Sequence, residues 1–458
     1  MSEQTGKRRK KAVDMTEGVI WKQLLLFFLP ILMGTFFQQL YSTVDAIIVG
    51  RAAGKQALVA VGGSASQLLN LLVGFFTGLA SGATIIISHA FGARLQDDAS
   101  RAVHTALAMA LIFGVTLSAV GWLLSPQLLI WMNTPEDVLQ DAIRYLRICF
   151  VGMTASLVYN VGSGILRAVG DSRRPLYFLI IASLFNTVMD CLLVLVLRLG
   201  VTGAALATIL SQMLAAIMVC IVLGRSHDAC RLMPQRLRIH GGSLRRIVHI
   251  GLPAGLQSVL FSVSNIIIQT AINGLGTDPA AGWTAATKMD NVYWMIINAM
   301  GIAITTFVGQ NYGAGKLDRM KSGVRQALGI SFAMTAGICA FLLAFGRPLL
   351  RIFSSDEGVL EQGWQVMSFL VPAYMTYVCI EIIPGAMRGA GDSITPTIMT
   401  LVGCCLLRIL WIAVYVPAHH TLQAVLACYP ISWIPTSVAF IISYRRGRWL
   451  ERAGRWTR

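Results

Sequence analysis

Two aspartates stand inside otherwise apolar sequence. Asp45 lies in Tyr41-Ser-Thr-Val-Asp-Ala-Ile-Ile-Val-Gly50, with Gln38 and Gln39 about two turns before it, and Asp190 follows Asn186 by four residues. In a helix that spacing stacks Asn186 and Asp190 on one face. Together the three side chains offer at least three oxygen ligands to a small cation. Thr208, in Ala204-Ala-Leu-Ala-Thr-Ile-Leu210, could add a hydroxyl to such a cluster or be an ordinary packing residue. Two carboxylates sharing a low-dielectric pocket cannot both ionise cheaply, so one holds a proton or a cation lies between them. Either state would couple the pair to an ion gradient. The alternative is that Asp45 and Asp190 cap backbone or pair with arginine.

The elements that must position these groups are membrane spans. The 458 residues are 55% hydrophobic and 13% charged, whereas a soluble domain carries about 25% charged residues. Apolar runs at 24–32, 107–124, 176–197, 330–345 and 398–416 recur along the chain, and one bilayer crossing takes about 20 mostly apolar residues. The pattern predicts about twelve spans, at 20–48, 57–88, 102–124, 142–166, 176–197, 201–223, 247–272, 281–309, 323–345, 362–386, 396–416 and 422–443. All must be helical, because lipid offers no partner to an unpaired backbone group. A carboxylate deep in such a span costs at least about 2.5–3.5 kcal/mol, so it needs a partner, water or a task.

The net charge of +16 resides in short loops and at the termini. That distribution reads as a topology signal, with no nucleic-acid partner expected. Basic clusters at 7–11, 94–101, 167–174, 225–246, 316–325 and 445–458 fall on one side of a twelve-span chain, which places both termini in the cytoplasm and the protein in the cell membrane. The first apolar stretch starts near Val19, is long and lacks a small-residue cleavage site, so it is expected to stay as the first helix. Nine cysteines, without paired metal-ligand spacing, read as free packing residues. No Walker loop, GxSxG elbow or HExxH motif is present, so neither an enzyme nor a bound cofactor is expected beyond a coupling ion.

The chain also repeats itself. Gly164-Ile-Leu-Arg-Ala-Val-Gly-Asp-Ser-Arg-Arg-Pro175 matches Gly385-Ala-Met-Arg-Gly-Ala-Gly-Asp-Ser-Ile-Thr-Pro396, and the offset that aligns them also pairs Gly92-Ala93 with Gly313-Ala314 and Glu136 with Glu357. Duplication is the simplest reading. Six spans per repeat return the chain to its starting side, so the expected fold is all-α, with two six-helix bundles related by a pseudo-twofold axis along the membrane normal. The expected divisions are a basic N-terminus (1–19), an N-lobe (20–223), a linker and hinge (224–246), a C-lobe (247–443) and a basic C-terminus (444–458). Two similar bundles favour alternating access to a central site.

Other residues could line that site. Glu381 takes the place that Asn160 holds in the first half. Met33, Phe36, Phe37, Gln38 and Tyr41 offer apolar, aromatic and polar contacts to lipophilic cations, although the same stripe could equally be packing surface. Arg408 could neutralise Glu381 or snorkel to an interface. Lys288 and Asp290, two residues apart, point to different faces. Pro30 and Pro253 remove a helix hydrogen bond and could let their helices bend, or merely kink them. Asp171 and Asp392, in Gly-Asp-Ser turns, are read as helix caps.

Taken together, Leu29-Pro30, Val44-Asp45, Gly50, the repeated Arg-x-x-Gly-Asp-Ser turns, Val308-Gly-Gln-Asn-Tyr-Gly-Ala-Gly315 and Asn186-x-x-x-Asp190 resemble the multidrug and toxic compound extrusion (MATE) family over residues 18–445. Its superfamily also holds polysaccharide and lipid-linked oligosaccharide flippases. The resemblance implies a V-shaped cavity between two lobes and antiport of organic cations against inward H⁺ or Na⁺. Asp45, Asn186, Asp190 and Thr208 match the family's N-lobe cation site, and Pro30 matches the proline at which the first helix of some members bends. The seventh span lacks the carboxylate of some members and offers Gln257, Asn265 and Gln269, so the cation site is expected in the N-lobe. The expected partners are small organic cations and the bilayer, with the chain a monomer. A flippase would want several basic groups for pyrophosphate, and the spans offer mainly Lys288 and Arg408. A non-transporting scaffold would not need Asp45 and Asp190.

Overall fold

The structure is a computed structural model that describes residues 14–52, 54–132, 134–226, 230–352 and 356–457. The basic cluster at 7–11 lies outside these residues. Twelve helices are long and apolar enough to cross a membrane. In the first half they are α1 (Ile20–Arg51), α2 (Val59–Gly92), α3 (Gln96–Trp131), α4 (Glu136–Ala168), α5 (Arg173–Val196) and α6 (Gly200–Gly224). In the second they are α7 (Gly241–Asn273), α8 (Thr277–Gly313), α9 (Leu317–Leu350), α10 (Glu357–Ala390), α11 (Ile394–Ala418) and α12 (Leu422–Arg446). A short α13 (Arg448–Thr457) follows Gly447, whose φ is +72°.

Most helices outrun the apolar stretch that announces them. Hydropathy sees only the part meant for lipid, whereas the backbone continues until a polar residue can satisfy its free ends. Thus α3 starts at Gln96 with Asp97 and Asp98 in its first turn, where acidic groups favour the helix dipole. Asp171 Oδ1 accepts from the Arg173 and Arg174 amides ahead of α5, and Asp392 Oδ1 accepts from the Thr395 amide ahead of α11. Both aspartates are caps, as the turns implied. Helix α7 likewise begins at Gly241, earlier than hydropathy indicates. The linker before it lies along α3, with the Met233 amide donating to His104 Nε2 and the His240 amide to Thr105 Oγ1.

The duplication extends to backbone conformation. Arg94 (φ +58°) and Gly315 (φ +71°), equivalent positions of the repeat, both occupy the left-handed region, as do the equivalent Gly170 (+87°) and Gly391 (+112°). Only arginine at position 94 meets a steric penalty there, of order 1 kcal/mol.

Each half has its own core, with Phe150, Leu146 and Ile87 in one and Tyr293, Phe307 and Trp433 in the other. Helix α1 divides between them. Leu24, Phe27 and Phe28 pack with the second core and Val49 with the first, and Pro30 sits near the division inside an unbroken helix.

The two lobes meet along α2 and α7. Gly74, Gly78 and Gly82 recur every fourth residue and face Ser258, Gly255 and Gly251. A Cβ at Gly78 would stand 2.6 Å from the Gly255 amide nitrogen, so backbone meets backbone there. Small residues at this spacing let membrane helices approach most closely. At the end of the row, a Cβ on Gly74 would lie 3.7 Å from the Ser258 Cβ, within the range of about 3.5–4.5 Å that a disulfide requires. The Gly74→Cys/Ser258→Cys double variant should therefore cross-link under mild oxidation and lose transport, with reduction restoring it and each single variant remaining active. Unimpaired transport by the cross-linked protein would show that the lobes need not part along this seam.

Candidate functional site

Asp45 lies in the last turns of α1, and Asp190 lies on α5 where the helix passes into a wider π segment, Cys191–Val196. Such widened turns often accompany functional sites. The two carboxyl groups are electrostatic neighbours. Asp190 is fully buried and Asn186 is 1% exposed. One oxygen of Asp45, both oxygens of Asp190 and both polar atoms of the Asn186 amide are buried without a hydrogen-bond partner. Among the described residues neither aspartate caps a helix or forms an ion pair with arginine. Tyr41, Tyr145 and Cys149 each have Asp45 as an electrostatic neighbour. The Thr208 hydroxyl donates to the Ala204 carbonyl at 3.0 Å, and the structure shows no contact between it and the carboxylates.

The donor set is hard oxygen, the kind a proton or Na⁺ takes. Orphaned buried oxygens of this kind carry the full cost of lost hydration, and a proton or cation between the carboxylates removes it. Asp45, Asp190 and the Asn186 carbonyl oxygen would hold that ion.

A second site, a cavity of about 900 Å³, opens between the lobes. Its walls come from α2, α4, α7, α8, α10, α11 and α12. Asn160 and Glu381, which correspond in the repeat, both line it, and so do Gln257, Asn265 and Gln269. Met33, Phe37, Gln38 and Tyr41 lie outside its lining. Helix α1 packs along α5 and α8 instead, and Tyr41 stands beside the carboxylate pair.

The charges of the cavity also differ from the expectation. Arg167 and Arg388, equivalent in the repeat, belong to its lining because α4 and α10 run on past them before turning. Loop-like Gly-Asp sequence nearby concealed this. Arg408 is 2% exposed with its guanidinium 4.5 Å above the Tyr429 ring, so it neither snorkels nor pairs with Glu381. The basic neighbour of Glu381 is Arg388, which also donates to Gln257 Oε1 at 3.4 Å. Asp290 is 5% exposed beside Tyr374, and Lys288 is exposed, in keeping with the different faces their spacing gives. Between these groups runs an aromatic wall. Tyr293 stacks on Tyr374 at 4.3 Å, Trp294 meets Tyr377 at 4.8 Å, and Tyr429 meets Trp433 at 5.1 Å.

The model of one family, MatE, matches residues 30–192 and again residues 253–414, once in each half. The chain belongs to the MatE family. A relative called probable multidrug resistance protein YpnP, from Bacillus subtilis (strain 168), is 29% identical over 96% of this chain and 98% of its own length. A FAD transporter of Shewanella oneidensis is 26% identical over 75% of this chain and 76% of its own. The fold matches a MATE transporter of the MOP superfamily in its outward-facing conformation, with a TM-score of 0.88 at 23% identity over 97% of this chain and 99% of that one. Membership establishes a multi-pass membrane transporter of small molecules, and the relatives support drug efflux.

The MatE duplication also shuts one end of the cavity, by contacts that the sequence had shown only as an unexplained motif. His89 Nε2 lies 2.7 Å from the Gly389 carbonyl oxygen, and Gln310 Nε2 donates to the Ala168 carbonyl at 2.7 Å. His89 corresponds to Gln310 in the repeat and Ala168 to Gly389, so one contact is present twice across the axis. The constant offset between the halves was the available signal. The segment before α1 seals the same end, with the Met15 amide donating to Gln310 Oε1, Asn311 Nδ2 to the Met15 carbonyl, and Arg319 to the carbonyls of Met15, Glu17 and Gly18. Each such bond contributes about 1 kcal/mol. In the His89→Ala/Gln310→Ala double variant, spin labels at the exposed positions 96 and 317 should show a new, longer distance in double electron–electron resonance. An unchanged distribution would mean that these bonds do not hold the end shut.

Proposed function

We propose that this MatE chain exports small organic molecules, chiefly cations, in exchange for inward H⁺ or Na⁺, with both termini in the cytoplasm and the single chain sufficient. The observation that carries the proposal is the neighbouring pair of carboxylates on α1 and α5, Asp190 fully buried and Asp45 partly so, with three of their oxygens buried and without a hydrogen-bond partner. An ion bound there neutralises the pair and draws α1 toward α5. Because the first half of α1 packs on the C-lobe, its position at Pro30 links ion occupancy to the lobe contact, and Pro253 gives α7 the same freedom. Asp290, Glu381 and the aromatic wall receive the cationic solute, the rings through cation–π contact. Closure at the end bearing the chain termini makes the present state the one that releases solute outside.

A second reading, transport of anionic solutes, gains support from Arg167, Arg388 and Arg408 in the cavity. Arg167 and Arg388 add to the Lys288 and Arg408 of the spans as basic groups able to meet a phosphate. The relative that carries FAD is consistent with this reading.

The test is dye export in proteoliposomes with ΔpH and ΔpNa imposed separately. One gradient should drive the wild type, and Asp45→Asn or Asp190→Asn should each lower the driven rate at least about tenfold, the equivalent of 1.4 kcal/mol. Undiminished driven export by both variants would contradict the assignment of the coupling site.

A further inference from the structure

The carboxylate–arginine balance of the cavity is unequal between its parts. Glu381 has Arg388 beside it. Asp290 and Arg408 have no such compensation. Among the described residues neither takes part in an ion pair, both are more than nine-tenths buried, and Arg408 Nε and one Asp290 oxygen have no hydrogen-bond partner. Both line the cavity, and Tyr429 has each of them as an electrostatic neighbour. The guanidinium lies over the Tyr429 ring at 4.5 Å, a contact that orients it without using its donors.

An isolated buried cation is costly unless something completes it. Among the described residues Arg408 has no ion pair, its Nε has no hydrogen-bond partner, and its guanidinium meets the Tyr429 ring face. Its planar fork of N–H donors matches a carboxylate or phosphate better than any other group. The flanking Trp433, Trp283 and Tyr374 supply flat apolar surface on which a ring system can stack.

We propose that Arg408 forms a subsite for the oxyanion of an aromatic zwitterion or anion, with Asp290, the other charged neighbour of Tyr429 in the cavity, receiving the cationic end when there is one. The inference rests on the reading that the cavity holds the transported molecule. It assigns to Arg408 a task distinct from ion coupling, and it makes the cavity amphoteric. A simple lipophilic cation uses Asp290, Glu381 and the aromatic wall and does not need Arg408. A molecule carrying a carboxylate needs it.

A rhodamine free acid and its methyl ester share one xanthene core and differ only in that carboxylate, so they isolate the subsite. Both dyes should be exported by wild-type proteoliposomes under the driving gradient. Arg408→Gln should lower export of the free acid at least about tenfold while leaving the ester within about twofold, as expected for loss of a charge-assisted contact. Arg408→Lys should restore part of the free-acid rate, because the charge returns without the fork. Retained export of the ester shows that the variant folds and couples. Equal loss of both dyes, loss of neither, or a wild type that exports the ester alone would overturn the subsite while leaving the transport reading intact. A wild type that exports neither dye under either gradient would overturn both.

Discussion

Two carboxylates held side by side without a counter-charge set the terms for the rest of this structure. Taking one carboxylate from water into a helix bundle is expensive, and taking two to the same point adds their repulsion. The fold accepts that cost at Asp45 and Asp190, where the neighbouring Asn186 amide is left unpaired as well. An ion bound there would relieve that cost. The affinity of the site for that ion therefore depends on the arrangement of α1 and α5, and the arrangement depends in turn on whether the ion is present.

The remaining architecture gives this dependence somewhere to act. Helix α1 carries Asp45 at one end and packs against the C-lobe core at the other. The lobes touch through a glycine seam on α2 and α7 that has no side chains to interdigitate, and through a duplicated pair of side-chain-to-carbonyl bonds at its end. The side-chain-to-carbonyl bonds can be exchanged for water when the lobes part, and the seam itself is smooth, close helix packing. The cores on either side are apolar, and α1 and the start of α7 reach across from one half into the core of the other.

How much of this could be read in the sequence varied with the physics involved. Bilayer thickness imposes a length on apolar segments, and the repeat imposes a register, so twelve spans in two halves were legible. The carboxylate pair was legible because an acidic residue in lipid is conspicuous. The cavity lining was legible only in part, at Asn160 and Glu381. Met33, Phe37, Gln38 and Tyr41 had suitable chemistry, but which face of α1 meets the cavity depends on packing against α5 and α8 that no local pattern encodes. Arg167 and Arg388 were hidden for the opposite reason, since a charged residue beside a Gly-Asp turn reads as a loop even when its helix carries it inward. Thr208 stands as a residue of suitable chemistry whose hydroxyl bonds to its own helix.

Infrared difference spectroscopy of the carboxyl stretch tests the central claim most directly. The account requires that acidification across neutral pH, or addition of Na⁺, change a carboxyl band in the wild-type protein, and that the change vanish in both Asp45→Asn and Asp190→Asn. A spectrum indifferent to both ions, or a response that survives both substitutions, would contradict it.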